Sequence, residues 1–178
     1  MVWSPLPVEL YSSPCYGVVV SVNIDSRVVS PGSDEYVEEA WDLKELIHRE
    51  EGVLKQRRSF FTDAYRRSTV HCYLQNGEKL VGFAAVRRDG YILFLAVDPE
   101  CRGEGIGKRL VARVVEDHRT VTCHARTTNE TALQFYENFG FEIKRRIDNY
   151  YEDGGDAYYL KLGVDGGITD RISDLMRR

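Results

Sequence analysis

Cysteine is scarce and scattered, with four residues at 15, 72, 101 and 123 and no C-x-x-C pair. That spacing offers neither a disulfide frame nor a zinc site, and it fits a reducing, cytoplasmic compartment. No run of 18 apolar residues occurs, so no membrane-spanning helix is expected. The opening Met-Val-Trp-Ser-Pro-Leu-Pro lacks a basic stretch followed by an apolar core, so no secretory signal is expected either. Basic charge is not in excess: 24 Lys and Arg against 28 Asp and Glu leave a net charge of −4. This gives no electrostatic footprint for nucleic acid. Internal repeats and low-complexity segments are missing as well.

What remains is the composition of one enzyme-sized domain. A chain of 178 residues, 43% hydrophobic and 29% charged, can bury a single sizeable core. Residues 1–15, with three prolines, are expected to form an irregular leader, and residues 16–162 the domain. Residues 163–178 read as a glycine linker and a short amphipathic tail, Ile168 to Met176. Tyr16 to Ile24 reads as a first strand. Ser30-Pro31-Gly32-Ser33 reads as a turn, with Ser33 or Asp34 capping a helix to about Arg49. Its stripe is Val37, Ala40, Trp41, Lys44 and Ile47, apolar but for the Lys44 stem. A second helix is expected from about Val53 to Arg67. Strands at 69–75 and 79–87 flank Asn76-Gly77, a hairpin signal, and Asp89-Gly90 turns into a strand at 91–97.

The most informative stretch follows. Tyr91 to Val97 is an apolar run of strand length, and Leu110 to Val115 begins a helical apolar face. Between them lies Val97-Asp98-Pro99-Glu100-Cys101-Arg102-Gly103-Glu104-Gly105-Ile106-Gly107-Lys108-Arg109. A glycine-rich turn from a strand into a helix N-terminus presents unpaired N–H groups and a positive dipole end to an anion. Glycines let the backbone approach a phosphate closely. The nucleotide P-loop pattern fails, because Arg109 follows Lys108 and Arg102 stands where the first glycine is required. The dinucleotide pattern G-x-G-x-x-G fails from both Gly103 and Gly105. The pattern that fits is Arg-x-x-Gly-x-Gly, residues 102 to 107.

A second motif lies beyond a strand at 120–126. It is Asn129-Glu130-Thr131-Ala132-Leu133-Gln134-Phe135-Tyr136-Glu137-Asn138-Phe139-Gly140-Phe141. Ala132, Phe135, Tyr136 and Phe139 share one helix face. Asn129 or Thr128 suits the N-cap and Gly140 the C-terminal stop. A strand, Phe141 to Ile147, follows. The two motifs in this order resemble the acyl-coenzyme A loop and the N-x-x-A-x-x-[FL]-Y-x-x-x-G-F signature of the GNAT acetyltransferase superfamily. Cys123-His124-Ala125-Arg126 with Asn149-Tyr150-Tyr151 and Asp156-Ala157 narrows the resemblance. It is to RimI-like and NatE-type N-terminal protein acetyltransferases, over residues 70 to 162.

The resemblance implies a mixed α/β GNAT fold: a twisted, mostly antiparallel sheet, helices on both faces, and a central parallel strand pair splayed near Val97. It implies acetyl-coenzyme A as co-substrate, no metal, and direct acetyl transfer in a ternary complex. The acceptor is expected to be a protein or peptide N-terminus, with a small amine or a lysine side chain as the alternative. A non-catalytic acyl-coenzyme A binding module is a further alternative. The state is expected to be a monomer or homodimer, with no nucleic-acid or membrane partner.

By the same resemblance the pantetheine arm runs along Leu95, Ala96 and Val97. The diphosphate sits on Gly103, Glu104, Gly105, Ile106, Gly107 and Lys108, with Arg102 bracing the loop or facing the diphosphate. Asn129 contacts the coenzyme, a role compatible with capping. Tyr136 is the expected hydrogen-bond donor to the leaving thiolate. His124 stands where RimI-like enzymes carry a glutamate, and matches the NatE-type pattern of a histidine working with a tyrosine, here Tyr91, through a shared water. Tyr150 and Tyr151 are expected to contact the acceptor. Glu50 and Glu51 either attract its cationic end or form a solvated charge pair.

Overall fold

The computed structural model describes residues 23–163 of the chain. The expected leader, most of the expected first strand and the expected tail lie outside the described residues. The element order is β1 Ile24–Val29, α1 Val37–Glu51, α2 Arg58–Arg66, β2 Thr69–Gln75, β3 Lys79–Val86 and β4 Ile92–Val97. A 3₁₀ turn Pro99–Cys101 follows, then α3 Ile106–Asp117, β5 Thr120–Arg126, α4 Glu130–Phe139, β6 Glu142–Ile147 and β7 Ala157–Gly163.

Three boundaries depart from the sequence reading. A strand is present through Val29, well past Ile24, because Ile24 to Val29 pair in full antiparallel register with Gln75 to Val70. Its polar middle, Asp25-Ser26-Arg27, hides it from apolar patterning. Neither Ser33 nor Asp34 caps α1. The Ser33 hydroxyl accepts from the Glu35 N–H at 3.2 Å, Asp34 pairs with Arg66, and Tyr36 takes the cap position with φ 58°. The second helix starts at Arg58, not Val53, because Gly52 ends α1 in the left-handed region and Leu54 follows there with φ 55°. That leaves residues 53–57 irregular.

The first four strands form one antiparallel sheet in order β1-β2-β3-β4, and the last three form another in order β5-β7-β6. Asn76 and Gly77, both at positive φ, close β2 onto β3, with the Glu78 N–H on the Gln75 carbonyl at 3.1 Å. This is the two-residue turn whose twist matches the strands. The unbroken apolar run of β3, an inner strand of this sheet, is buried from Leu80 to Val86. Helices cover both faces. Phe61 of α2 lies between Phe94 and Phe83, with ring centroids at 4.9 and 6.1 Å, in the core under α1 and α2. Leu110, Val111, Val114, Phe139 and Leu160 belong to the core on the other face, under α3 and α4.

Among the described residues the two sheets join at a parallel bridge, Tyr91 with Thr122, reinforced by the Thr122 N–H on the Gly90 carbonyl at 3.1 Å. A Cβ at Gly90 would stand 2.3 Å from the Thr120 carbonyl oxygen, so only glycine lets the strands close here. Beyond that bridge β4 and β5 diverge, as the splay expected from the family resemblance requires.

Candidate active site

The divergence opens a groove of about 1180 Å³ that runs from the α3 N-terminus, between β4 and β5, to the β6–β7 hairpin. Its geometry follows from the strand register. The Asp98 N–H donates to the Val81 carbonyl at 2.9 Å, and Val97, Ala96 and Leu95 stand opposite Gly82, Phe83 and Ala84. Antiparallel residues alternate between bonded and unbonded pairs. The N–H and C=O of Val97 and Leu95 therefore turn away from β3 and into the splay. Those of Ala96 face β3, and its side chain is buried under α1 and α2, so Ala96 lines the groove without offering it a polar group of its own.

The loop at the groove's far end is held open by buried anchors. Asp98 accepts from the Glu100 N–H at 3.0 Å and pairs with Lys79 at 2.8 Å. Burial pushes its carboxyl pKa up most strongly, but Lys79 and the Glu100 amide together outweigh that and hold it below the usual range. Gly103 and Gly105 sit at φ 83° and 78°, a conformation that L side chains resist. The first helical bond of α3 runs from Arg109 N–H to Gly105 carbonyl at 3.0 Å. The N–H groups of Ile106, Gly107 and Lys108 thus belong to the first turn, which has no intrahelical acceptors. They and the backbone from Arg102 onward line the groove. Gly107 serves a second purpose: a Cβ there would sit 3.3 Å from the Phe135 ring, so its bareness lets α3 approach α4.

At the splay point three predicted side chains converge. Residues 122, 124 and 126 of β5 alternate with the core residues Val121, Cys123 and Ala125 and face outward. The Tyr91–Thr122 bridge sets the register, so His124, two residues further on the same face of β5, lies within reach of the long Tyr91 side chain. Tyr91 Oη and His124 Nδ1 bond directly at 2.7 Å. Burial, with Arg145 nearby, lowers the His124 pKa, so the imidazole stays neutral around pH 7. Its Nε2 is buried with no partner among the described residues. Burial raises the Tyr91 pKa above its usual range. Tyr136 projects from α4 into the groove wall, 6% exposed. Burial, and then the adjoining Cys123 thiol, hold its phenol protonated. Asn129 accepts from the Ala132 N–H at 3.1 Å, capping α4, and also lines the groove.

The acceptor end departs from expectation at one residue. Tyr150 and Tyr151 both line the groove, and Glu51 does too, but Glu50 does not. It lies on the exposed side of the last turn of α1. Glu51 is not a free attractor of cations: its carboxylate holds Arg102 at 2.6 Å, joining the α1 terminus to the phosphate-type loop. Val53, Leu54 and Phe60 form an apolar wall of the groove, and of these sequence reasoning missed Phe60. Lys44 positions that wall. It is buried with its amine, not just its stem, and donates to the Gln56 carbonyl at 3.0 Å and to Glu45 at 2.6 Å. Also missed were Arg126 and Asp153, whose signal was present in one case: Arg126 stands two residues from His124 on a strand and so shares its face.

A strand pair splayed beside a glycine loop at a helix N-terminus defines a class of acyl-transfer folds. Residues 66–143 match the acetyltransferase (GNAT) domain, and this segment of the chain is a GNAT domain. N-alpha-acetyltransferase 30 of Xenopus laevis is 36% identical over 140 residues, 68% of this chain and 49% of that protein. The chain spans about half the length of the curated relatives it matches. Among solved structures, the ribosomal-protein-S18-alanine N-acetyltransferase of Escherichia coli superposes with a TM-score of 0.65 at 23% identity, over 80% of this chain and 96% of that one. Arabidopsis thaliana Naa50, in complex with the bisubstrate analogue CoA-Ac-MVNAL, superposes with a TM-score of 0.59 at 26% identity, over 81% and 99%. Among the described residues no helix is long and apolar enough to cross a membrane, and no group of metal-ligating side chains occurs.

Proposed function

We propose that this chain is an acetyl-coenzyme A-dependent N-acetyltransferase acting on protein or peptide N-termini. The observation that carries the reading is the direct Tyr91–His124 bond at the splay of β4 and β5, 2.7 Å long, in a groove that also holds Tyr136 and the α3 N-terminus. The relatedness to N-alpha-acetyltransferase 30 supports the choice of acceptor. The scattered cysteines fit work in the cytoplasm.

The residues fit the co-substrate. The first-turn amides of α3 suit a diphosphate, and the outward amides of Leu95 and Val97 suit a pantetheine arm laid along β4. The Val97 N–H is the donor for the oxyanion that forms when an amine attacks the thioester carbonyl.

An N-terminal amine has a pKa of about 8 against about 10.4 for lysine, so neutralising lysine at pH 7 costs about 3 kcal/mol more. A mild base therefore serves the first acceptor. As the C–N bond forms, the amine proton passes to the Tyr91 oxygen while the Tyr91 proton moves to His124 Nδ1. The imidazolium then returns a proton to solvent. The C–S bond breaks with its electron pair on sulfur, to which Tyr136 donates a hydrogen bond.

The test is incubation of the protein with acetyl-coenzyme A and a library of free-N-terminal peptides, beside polyamine and aminoglycoside panels. Thiol release with the peptides alone is the expected result. Release with small amines alone assigns the groove to another acceptor, and binding without release removes catalysis.

A further inference from the structure

The β6–β7 hairpin carries both tyrosines of the acceptor wall, and two side chains of β5 hold it in place. His124 carries Tyr150, and Arg126 carries Tyr151, with the guanidinium carbon 4.0 Å from that ring's centroid. The two tyrosines meet edge to face, centroids 5.0 Å apart. Arg126 is 16% exposed and donates two parallel hydrogen bonds to the Asp153 carboxylate, at 3.1 and 3.0 Å. The hairpin backbone folds round this pair. Asp153 accepts from the Gly155 N–H at 3.2 Å. The Tyr151 N–H reaches the Gly155 carbonyl at 3.0 Å, and the Thr127 N–H reaches the Asp156 carbonyl at 3.1 Å. A Cβ on Gly155 would stand 2.3 Å from Arg126 Nη1, so the turn closes directly on the guanidinium.

A forked pair of this kind fixes angle as well as distance. Its planar face also stacks on an aromatic ring, which a lysine ammonium cannot reproduce. Arg126 thus joins both the hairpin's turn and its second tyrosine, from the same strand face as His124.

We propose that Arg126 is a positioning residue: its clasp on Asp153 and Tyr151 holds the β6–β7 hairpin over the groove and sets how tightly the acceptor is gripped before acyl transfer. This rests on the acetyltransferase reading above. Loss of a clasp that acts on the acceptor alone raises the acceptor KM and leaves the donor site untouched.

The experiment compares the full chain with Arg126→Gln, Arg126→Lys, Asp153→Asn and Gly155→Ala, the last displacing the guanidinium with both partners retained. The peptide that the wild type acetylates best serves as acceptor. Its KM is expected to rise about tenfold in Arg126→Gln, the scale of one lost charge-assisted pair, with kcat changed far less and the acetyl-coenzyme A KM unchanged. Arg126→Lys falls between, and Gly155→Ala adds nothing to Arg126→Gln. The imidazole proton resonances of His124, shifted by the Tyr150 ring, give a readout independent of turnover and move in Arg126→Gln. A wild type that acetylates no amine defeats the functional reading. Unmoved imidazole signals with an unmoved acceptor KM defeat the clasp. A lowered melting temperature with kcat reduced alike for every acceptor assigns Arg126 to stability and overturns the proposal.

Discussion

The imidazole of His124 lies face to face with the ring of Tyr150, centroids 4.4 Å apart and planes 15° from parallel. The Tyr150 hydroxyl also stands 3.4 Å from that of Tyr91. One tyrosine therefore covers the imidazole while another bonds its Nδ1. Burial, to which this cover contributes, lowers the histidine's proton affinity, and Arg145 adds to the effect. The chemistry proposed at β4 and β5 thus depends on a hairpin whose Tyr150 lies 59 residues beyond Tyr91 in sequence.

Replacing either member of the relay separates chemistry from binding. His124→Ala and Tyr91→Phe are each expected to lower kcat by about a hundredfold, the usual scale for general base catalysis. Calorimetry should find coenzyme A affinity nearly unchanged in both. Loss of coenzyme affinity would place these side chains in the donor site.

The pH profile has a definite sign. His124 is held neutral to below the ordinary imidazole range, so kcat should hold down to about pH 6.5 and fall only beneath it. With a peptide acceptor, kcat/KM should keep rising up to the amine's pKa of about 8. An acid limb in kcat centred above 7 would contradict a depressed histidine.

The Glu51–Arg102 pair holds Arg102 beside the loop proposed to bind the diphosphate, and on that reading the two compete for its guanidinium. Both partners are partly exposed, 31% and 40%, so the pair is worth at most about 1 kcal/mol. Glu51→Gln should tighten coenzyme A binding by about two- to fivefold at low salt, and Arg102→Gln should weaken it. Titrations at low and high salt check this, since screening shrinks both effects. Weaker binding in Glu51→Gln would mean that Glu51 orients Arg102 for the ligand.

Two glycines should fail differently. A Cβ at Gly105 meets nothing within 4 Å, so Gly105→Ala acts only through its positive φ. About 1–2 kcal/mol of strain is expected, read as weakened coenzyme binding with a modest loss of melting temperature. Gly90→Ala forces a Cβ into the Thr120 carbonyl and should cost more in stability, because it opens the Tyr91–Thr122 bridge between the sheets.

His71 ties stability to acidity. It is 5% exposed, with both ring nitrogens unpartnered among the described residues and Asp117 no nearer than 3.9 Å. Burial lowers its pKa. The unfolded chain then binds the extra proton first, so stability is full above about pH 6.5 and declines as pH falls through the folded value. Denaturant midpoints measured from pH 7.5 to 5 should drop less in His71→Phe than in the wild type.

Much of the site was legible because its physics is local. Asn76-Gly77 carries the turn by its own backbone preference, and Asn129 caps the very helix whose face it precedes. The glycine loop announces its amides through residues within six positions of each other. Legibility failed where geometry was decided by partners. Arg58 starts α2 because Leu54 turns the chain aside, and no pattern of side chains encodes that φ. Glu50 and Glu51 look alike in sequence, yet only Glu51 finds Arg102 across the groove.

By itself the sequence determined the order of elements, the loop that presents amides to an anion, and the alternation that sends His124 and Arg126 to one face of β5. These follow from backbone preferences and from the two- and 3.6-residue periods, which need no neighbour. Tertiary structure alone decided that Tyr91 bonds His124 directly, that Tyr150 roofs the imidazole, and that Asp153 clasps Arg126. Those contacts join segments brought together only when two sheets meet at Gly90, and distance across a splay is a property of packing that no local preference carries.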